Sequence, residues 1–339
     1  MNAKRFYPTA IALYFTYFIH GIGVSILGQY KQDFAGVWGA DKLSDGTFDV
    51  SMVIAVIAAL GLGRLLTLPI SGPFSDKFGR KPSALIGVGL YAVYFIGLAF
   101  APNMYIAYAF AFVGGAANSF LDTAVTPSVL EIFTKNGAIA NMFTKFSISI
   151  GQFVLPFAIG MVAAANMSFR TLFVITMALI VIDGLIIAFM PFPPMNNNVG
   201  GEKAKPEKMK FNATSWAIIG IGFTCTSTFQ LWLNCNQELG KLYGMADPSK
   251  IQSGVLQLAV STANEFFPTN KGKITSIVMI SSSLANYIVL NVASYITKAG
   301  GIEGPKYVLL FNVAITVIGI LLAIFVNMRY KNESKIATK

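Results

Sequence analysis

Five ionisable side chains sit inside long apolar runs of the sequence: His20, Arg64, Asp122, Lys145 and Asp183. A charge in hydrocarbon is costly, so each is first a candidate for binding a polar solute or moving a proton. Arg64 and Asp122 have opposite signs and could neutralise each other, either as a substrate clamp or as a structural pair. Lys145 shares a helical face with Gln152, two turns further on. A lysine beside carboxamides suits an anionic solute, although one so near the end of its run could also snorkel to the nearest polar surface. His20, with Tyr17 and Gln29 on the same run, could line a cavity, take up a proton near neutral pH, or be a hydrogen-bonded core residue. Asp122 and His20 are the proton-coupling candidates, and Asn118 shares the run of Asp122. Asp183 reads either as a protonated acid or as one facing a polar neighbour.

Later in the chain, Thr226, Gln230 and Asn234 recur every four residues and form one polar helical stripe. Gln257, Ser261 and Asn264 form a second, and Asn286 and Tyr287 fall in the middle of a further apolar run. Such stripes either line a solute site or join helices through hydrogen bonds.

Membrane-crossing helices are what must position these groups. Of the 339 residues, 55% are hydrophobic and only 12% are charged, and the mean hydropathy is +0.62, whereas soluble domains carry about 25% charged residues. About 20 apolar residues cross a bilayer as a helix. Helices are expected over residues 8–30, 49–71, 83–101, 104–130, 138–163, 169–191, 213–236, 251–267, 274–297 and 306–328. The first follows Lys4-Arg5 and lacks a cleavage site, so it reads as a membrane helix and not as a removed leader. The expected organisation is a six-helix bundle over 1–192, a polar linker over 193–212, and a shorter helical bundle over 213–339.

Lysine and arginine set the orientation. Lys4, Arg5, Lys77, Arg80, Lys81, Lys135, the linker lysines, Lys271, Lys273 and the C-terminal tail fall on one side. The acidic stretch Asp33, Asp41, Asp45 and Asp49 falls on the other. Both termini are therefore expected in the cytoplasm. The net charge of +10 is explained by this pattern, which argues against a nucleic-acid partner.

The chain also repeats itself. Glu131-Ile132-Phe133 matches Glu265-Phe266-Phe267, and Ser149 to Phe153 matches Ser283 to Tyr287, both at an offset of 134 residues. Gln32-Asp33-Phe34 matches Gln237-Glu238-Leu239 at an offset of 205. Two halves of one duplication should share a single offset. The difference of 71 implies that most of an eighth helix, a ninth and half of a tenth are absent, leaving 251–267 as a short hybrid crossing or a re-entrant piece. About ten spans remain, and a homodimer that fills the missing volume is compatible with such a gap.

After the second apolar run comes Gly72-Pro73-Phe74-Ser75-Asp76-Lys77-Phe78-Gly79-Arg80-Lys81. This resembles the Gly-x-x-x-Asp-(Arg/Lys)-x-Gly-Arg-(Arg/Lys) signature of the major facilitator superfamily, at the expected place between helices 2 and 3. Runs such as Tyr17-Phe18-Ile19-His20-Gly21, Gly61-Leu62-Gly63-Arg64-Leu65 and Glu265-Phe266-Phe267-Pro268 resemble YdiM/YdiN-type inner-membrane permeases in particular. The glycines Gly72 and Gly79 permit close approach and a tight turn. Asp76 could accept from backbone amides at a helix N-terminus, and Arg80 could pair with Glu131. With Lys81 these residues are the gating candidates, the alternative being a basic loop that only sets orientation.

The resemblance implies an all-α integral membrane protein of the bacterial inner membrane. It further implies a secondary transporter working by alternating access, its partners being the lipid bilayer, a small polar or anionic metabolite such as an organic acid, and the protons coupled to it. His20, Gln29, Arg64, Asn118, Lys145, Gln152, Gln230, Asn234, Gln257, Asn286 and Tyr287 are the substrate-binding candidates. The rival expectation is a transport-inactive deletion form or membrane scaffold of the same family. One histidine and two cysteines, Cys225 and Cys235, leave no zinc spacing, and no cofactor is expected. The phosphate-binding pattern Gly-x-x-x-x-Gly-Lys-(Ser/Thr), the nucleophile pattern Gly-x-Ser-x-Gly and His/Glu metal clusters do not occur, which argues against a primary pump and against an enzyme.

Overall fold

The computed structural model describes residues 3–134, 136–194, 213–242 and 271–337. Ten α-helices carry the fold among these residues. They are α1 Tyr7–Gln29, a short α2 Lys31–Val37, α3 Ser51–Phe78, α4 Arg80–Ala99, α5 Met104–Ile132, α6 Gly137–Ala164, α7 Arg170–Phe189, α8 Ala213–Leu242, α9 Lys271–Gly300 and α10 Gly304–Ala337. All but α2 are at least 20 residues long. By length and composition they supply eight stretches able to cross a membrane, the last of which, Ile280–Arg329, takes in both α9 and α10.

Local chemistry explains the ends of the helices. Pro8 sits in the first turn of α1, where its missing N–H costs nothing. Asn103 caps α5 by accepting from the backbone N–H groups of Tyr105 and Ile106, both at 3.1 Å. The expected loop after the second span is a single residue. α3 continues past Pro69 and Pro73 to Phe78, and Gly79, at φ 106°, makes the turn into α4. That conformation is open to glycine and strained for other residues. The short α2 was not expected. The stretch after it, up to Val50, is pinned by Asp49, which accepts from the Ser51 N–H at 2.9 Å.

Small residues let the rods touch. A Cβ on Gly63 of α3 would run into the carbonyl of Phe112 on α5, and one on Gly21 of α1 into the carbonyl of Ile148 on α6. Backbone contact of this kind is how helices associate in lipid, where apolar side chains gain little by leaving it. Hydroxyls add to it. Ser119 Oγ donates to the Arg64 carbonyl at 2.9 Å, Ser75 Oγ to the Thr123 carbonyl at 2.7 Å and Ser83 Oγ to the Phe120 carbonyl at 3.0 Å. Replacing Gly63 by valine is therefore expected to destabilise the protein by about 1–3 kcal/mol through overpacking, read as a lower thermal midpoint in detergent.

α1 packs on α6 and α7, α3 on α5, and α4 on both α5 and α7. α8, α9 and α10 pack on one another, with the hydroxyls of Thr226 and Ser282 2.8 Å apart. α9 also lies along α3, where Gly61 meets Asn286 and Tyr287. Large apolar side chains remain on the outside, among them Phe146, Phe153, Phe157 and Met161 of α6 and Leu310, Ile320 and Leu321 of α10. Such faces suit lipid and would be a liability in water. The expected crossing at 251–267, most of the linker 195–212 and the copy of the repeat before residue 271 lie outside the described residues.

Candidate functional site

Five helices bring their polar side chains to one interior place. Arg64 of α3 donates from Nη2 to Asp122 Oδ2 of α5 at 2.6 Å. Tyr17 of α1 donates its hydroxyl to Asp122 Oδ1 at 2.7 Å. The arginine is 20% exposed and the aspartate 11%, so this pair is largely withdrawn from solvent. Lys145 of α6 stands with Nζ 6.0 Å from the centre of the Tyr17 ring, within electrostatic range of Asp122 and Arg64. His20 Nδ1 lies 2.7 Å from the hydroxyl of Tyr91 on α4. Asn118, one turn before Asp122, touches both His20 and Tyr91. Its Oδ1 is buried without a hydrogen-bond partner among the described residues.

The arrangement sets two basic side chains against one carboxylate. Charges so sheltered are attracted more strongly than in water, so a second anion brought beside Arg64 and Lys145 would compete with Asp122 for them. Spacing in the sequence put Lys145 with Gln152. In the structure Gln152 points its amide to Ser25 Oγ at 3.1 Å, on α1, while Lys145 turns to Tyr17 and Asp122. Gln29 is half-buried at the end of α1. Gln230 and Asn234 bond to each other along α8 at 3.0 Å. Asn286 and Tyr287 meet α3 at Gly61, and Tyr287 also reaches Tyr108 of α5. Gln257 lies outside the described residues. No cluster of three or more metal-ligating side chains occurs among the described residues.

Asp76, Gly79, Arg80, Lys81 and Glu131 gather at the end of the bundle where α1 begins, the near end. Arg80 donates to Asp76 at 2.6 Å, to Ser75 Oγ at 3.0 Å and to Glu131 Oε1 at 3.4 Å. Lys81 donates to the carbonyl of Met190 at 3.1 Å. Asp76 is 71% exposed and Glu131 only 19%, so Arg80 does most of its work on α5. Asp76 accepts from Arg80 and, among the described residues, from no backbone amide. Gly72 has open space where a side chain would be.

A third cluster lies at the opposite, far end and was missed in the sequence. Lys31 of α2 is 1% exposed and pairs with Glu238 of α8 at 2.5 Å. It also donates to the carbonyl of Asn234, and Gly28 faces the Asn234 side chain. Nearby, Ser294 Oγ of α9 donates to the Ser51 carbonyl at 2.7 Å. Burial, with Asp33 adding to it, pushes the hydroxyl of the neighbouring Tyr30 up to about 12, and the Tyr30 ring packs against Phe169 and Phe173 on the α1–α7 side. The only hint in the sequence was the weak match of Gln32-Asp33-Phe34 with Gln237-Glu238-Leu239. A lysine next to an acidic loop gives no sign that folding will bury it.

Comparison with known proteins places this architecture. The chain is 27% identical to an uncharacterised MFS-type transporter, YfkL, of Bacillus subtilis, with 95% of this chain and 96% of the relative covered. It is 26% identical to the inner membrane transport protein YdiM of Escherichia coli, covering 97% and 96%. The first alignment runs over 395 positions, but 95% of 339 residues is 322, which leaves roughly seventy positions that the relative fills and this chain does not. Among solved structures, the D-xylose–proton symporter superposes with a TM-score of 0.72 at 14% identity, covering 95% of this chain and 97% of that one. The inward-open xylose transporter XylE of E. coli gives 0.63 at 14% identity, covering 94% and 95%. These likenesses carry the fold. The sequence profile of the Major Facilitator Superfamily matches residues 10–247, and the chain therefore belongs to the Major Facilitator Superfamily.

Proposed function

We propose that this protein is a secondary transporter for a small organic anion, coupled to protons through Asp122. The observation that carries the reading is the Arg64–Asp122 pair with Lys145 beside it. A carboxylate solute that binds Arg64 and Lys145 displaces Asp122 from its cation. The freed carboxylate, largely out of water, then gains stability by taking a proton. Solute and proton would bind together and leave together, which is the requirement for symport. His20, held by Tyr91, lines the same place.

Both termini are assigned to the cytoplasm, so the near end with Arg80 and Glu131 is the cytoplasmic gate and the far end with Lys31 and Glu238 the outer one. Among the described residues, Lys31 with Glu238, Ser51 with Ser294 and Tyr108 with Tyr287 join α1–α7 to α8–α10 in the far half of the bundle. That supports a conformation closed at the far end.

The test is thermal stabilisation of the purified protein by a panel of carboxylates, sugars and amino acids. A ligand at one hundred times its Kd adds about 2.7 kcal/mol. Carboxylates are expected to stabilise the wild type and to lose most of that effect in Lys145→Met, while neutral sugars do nothing. Stabilisation by sugars alone would overturn the choice of substrate. The shortfall of roughly seventy positions against YfkL supports a second reading, a transport-inactive form. Proton-driven uptake by this chain in proteoliposomes would dismiss it.

A further inference from the structure

Asp183 of α7 is 1% exposed and stands apart from the Arg64–Asp122 pair. Its Oδ2 is 2.5 Å from Thr16 Oγ1 of α1, and the same hydroxyl oxygen is 3.1 Å from the carbonyl of Ala12, one turn earlier. A threonine hydroxyl has one proton to give. When that proton goes to the Ala12 carbonyl, the 2.5 Å contact can be a hydrogen bond only if the carboxyl group supplies the other proton.

The surroundings favour that arrangement. Among the described residues no cation pairs with Asp183. On α1, Tyr14 donates to the Ala140 carbonyl, Tyr17 to Asp122, and His20 is held by Tyr91. On α4, Val88 packs against Gly184, next to the aspartate, Tyr91 is taken by His20, and Lys81 reaches Met190 beyond the end of α7. On α6, Lys145 faces Asp122 and Tyr17. Arg170 stands at the other end of α7, over Phe169. A carboxylate buried to this degree without a cation is heavily penalised, and the neutral acid is not.

We propose that Asp183 is a proton-binding site, a carboxylic acid that keeps its proton in this conformation by donating it to Thr16. Release breaks the carboxyl O–H bond and passes the proton to water admitted between α1 and α7. The carboxylate left behind then accepts the Thr16 proton, which gives up the Ala12 carbonyl, and no other reactant is needed. Thr16 precedes Tyr17, whose hydroxyl holds Asp122, so a shift of α1 alters the partners of both buried carboxyl groups at once. The use of this proton in coupling rests on the transporter reading, but its presence on Asp183 does not.

Infrared spectroscopy of the full chain in lipid at neutral pH reads the proton without substrate. The expected result is a protonated-carboxyl C=O band that disappears in Asp183→Asn and survives in Asp122→Asn. Absence of such a band in the wild type, or its persistence in Asp183→Asn, overturns the assignment. Should Asp183→Asn fail to fold, Thr16→Val serves instead. It removes the acceptor, so the band should shift in frequency, and an unmoved band overturns the proposal. A chain that moves no substrate can still pass or fail this test.

Discussion

Replacing Arg64 with glutamine is expected to abolish uptake and to lower stability by at most about 3–5 kcal/mol, because Asp122 loses its hydrogen-bonded cation and keeps only Lys145 in its neighbourhood. Tyr17 still donates one hydrogen bond to Asp122, but a neutral hydroxyl does not replace a guanidinium at 2.6 Å. The double variant Arg64→Gln with Asp122→Asn should regain part of the stability, since Lys145 alone is then left without a carboxylate beside it, and should still transport nothing. That contrast separates solute binding from support of the bundle. A double variant that transports at the wild-type rate would reduce the pair to a structural brace. Asp122→Asn alone should keep solute exchange between the two sides of a vesicle and lose accumulation driven by a proton gradient. Exchange and accumulation lost in equal measure would detach Asp122 from the proton.

The second large effect is expected at the far end. Lys31 is covered almost entirely, and its ammonium is shared by Glu238 and the Asn234 carbonyl of the other bundle. Lys31→Met removes this tie and leaves Glu238, 12% exposed, able to recover water as the far end opens. A truncated buried charge pair costs about 2–5 kcal/mol. Charged to the closed conformation alone, that cost moves the population toward the open one by about two orders of magnitude. Spin labels at Asp45 and Glu303, both exposed and one on each side of the contact, should report a longer separation in Lys31→Met. The exchange Lys31→Glu with Glu238→Lys should restore the short one. Because the pair is buried, added salt should change the wild-type distribution little. An unchanged separation in Lys31→Met would show that the contact does not hold the far end shut.

How much was legible beforehand follows from which forces are local. Apolar runs of membrane-crossing length, and the glycine at residue 79 where only a positive φ makes the turn, are properties of the chain itself, and they announced the helices and the family. Even so, α3 continues through Pro69 and Pro73 to Phe78, beyond the end at residue 71 expected for the second membrane span. Lipid penalises an unpaired backbone more than a helix penalises proline, whose lost hydrogen bond can be made good by neighbours. A cost that falls on any ionisable residue in hydrocarbon likewise marked His20, Arg64, Asp122, Lys145 and Asp183 before any coordinates. Partnership was another matter. That Lys145 turns to Asp122 and Tyr17 while Gln152 turns to Ser25, that Thr16 meets Asp183, and that Lys31 is buried against Glu238 depend on helix rotations set by where glycines let backbones touch. Those contacts join residues up to 207 positions apart, and neither spacing nor charge along a chain encodes the angle at which two distant rods meet.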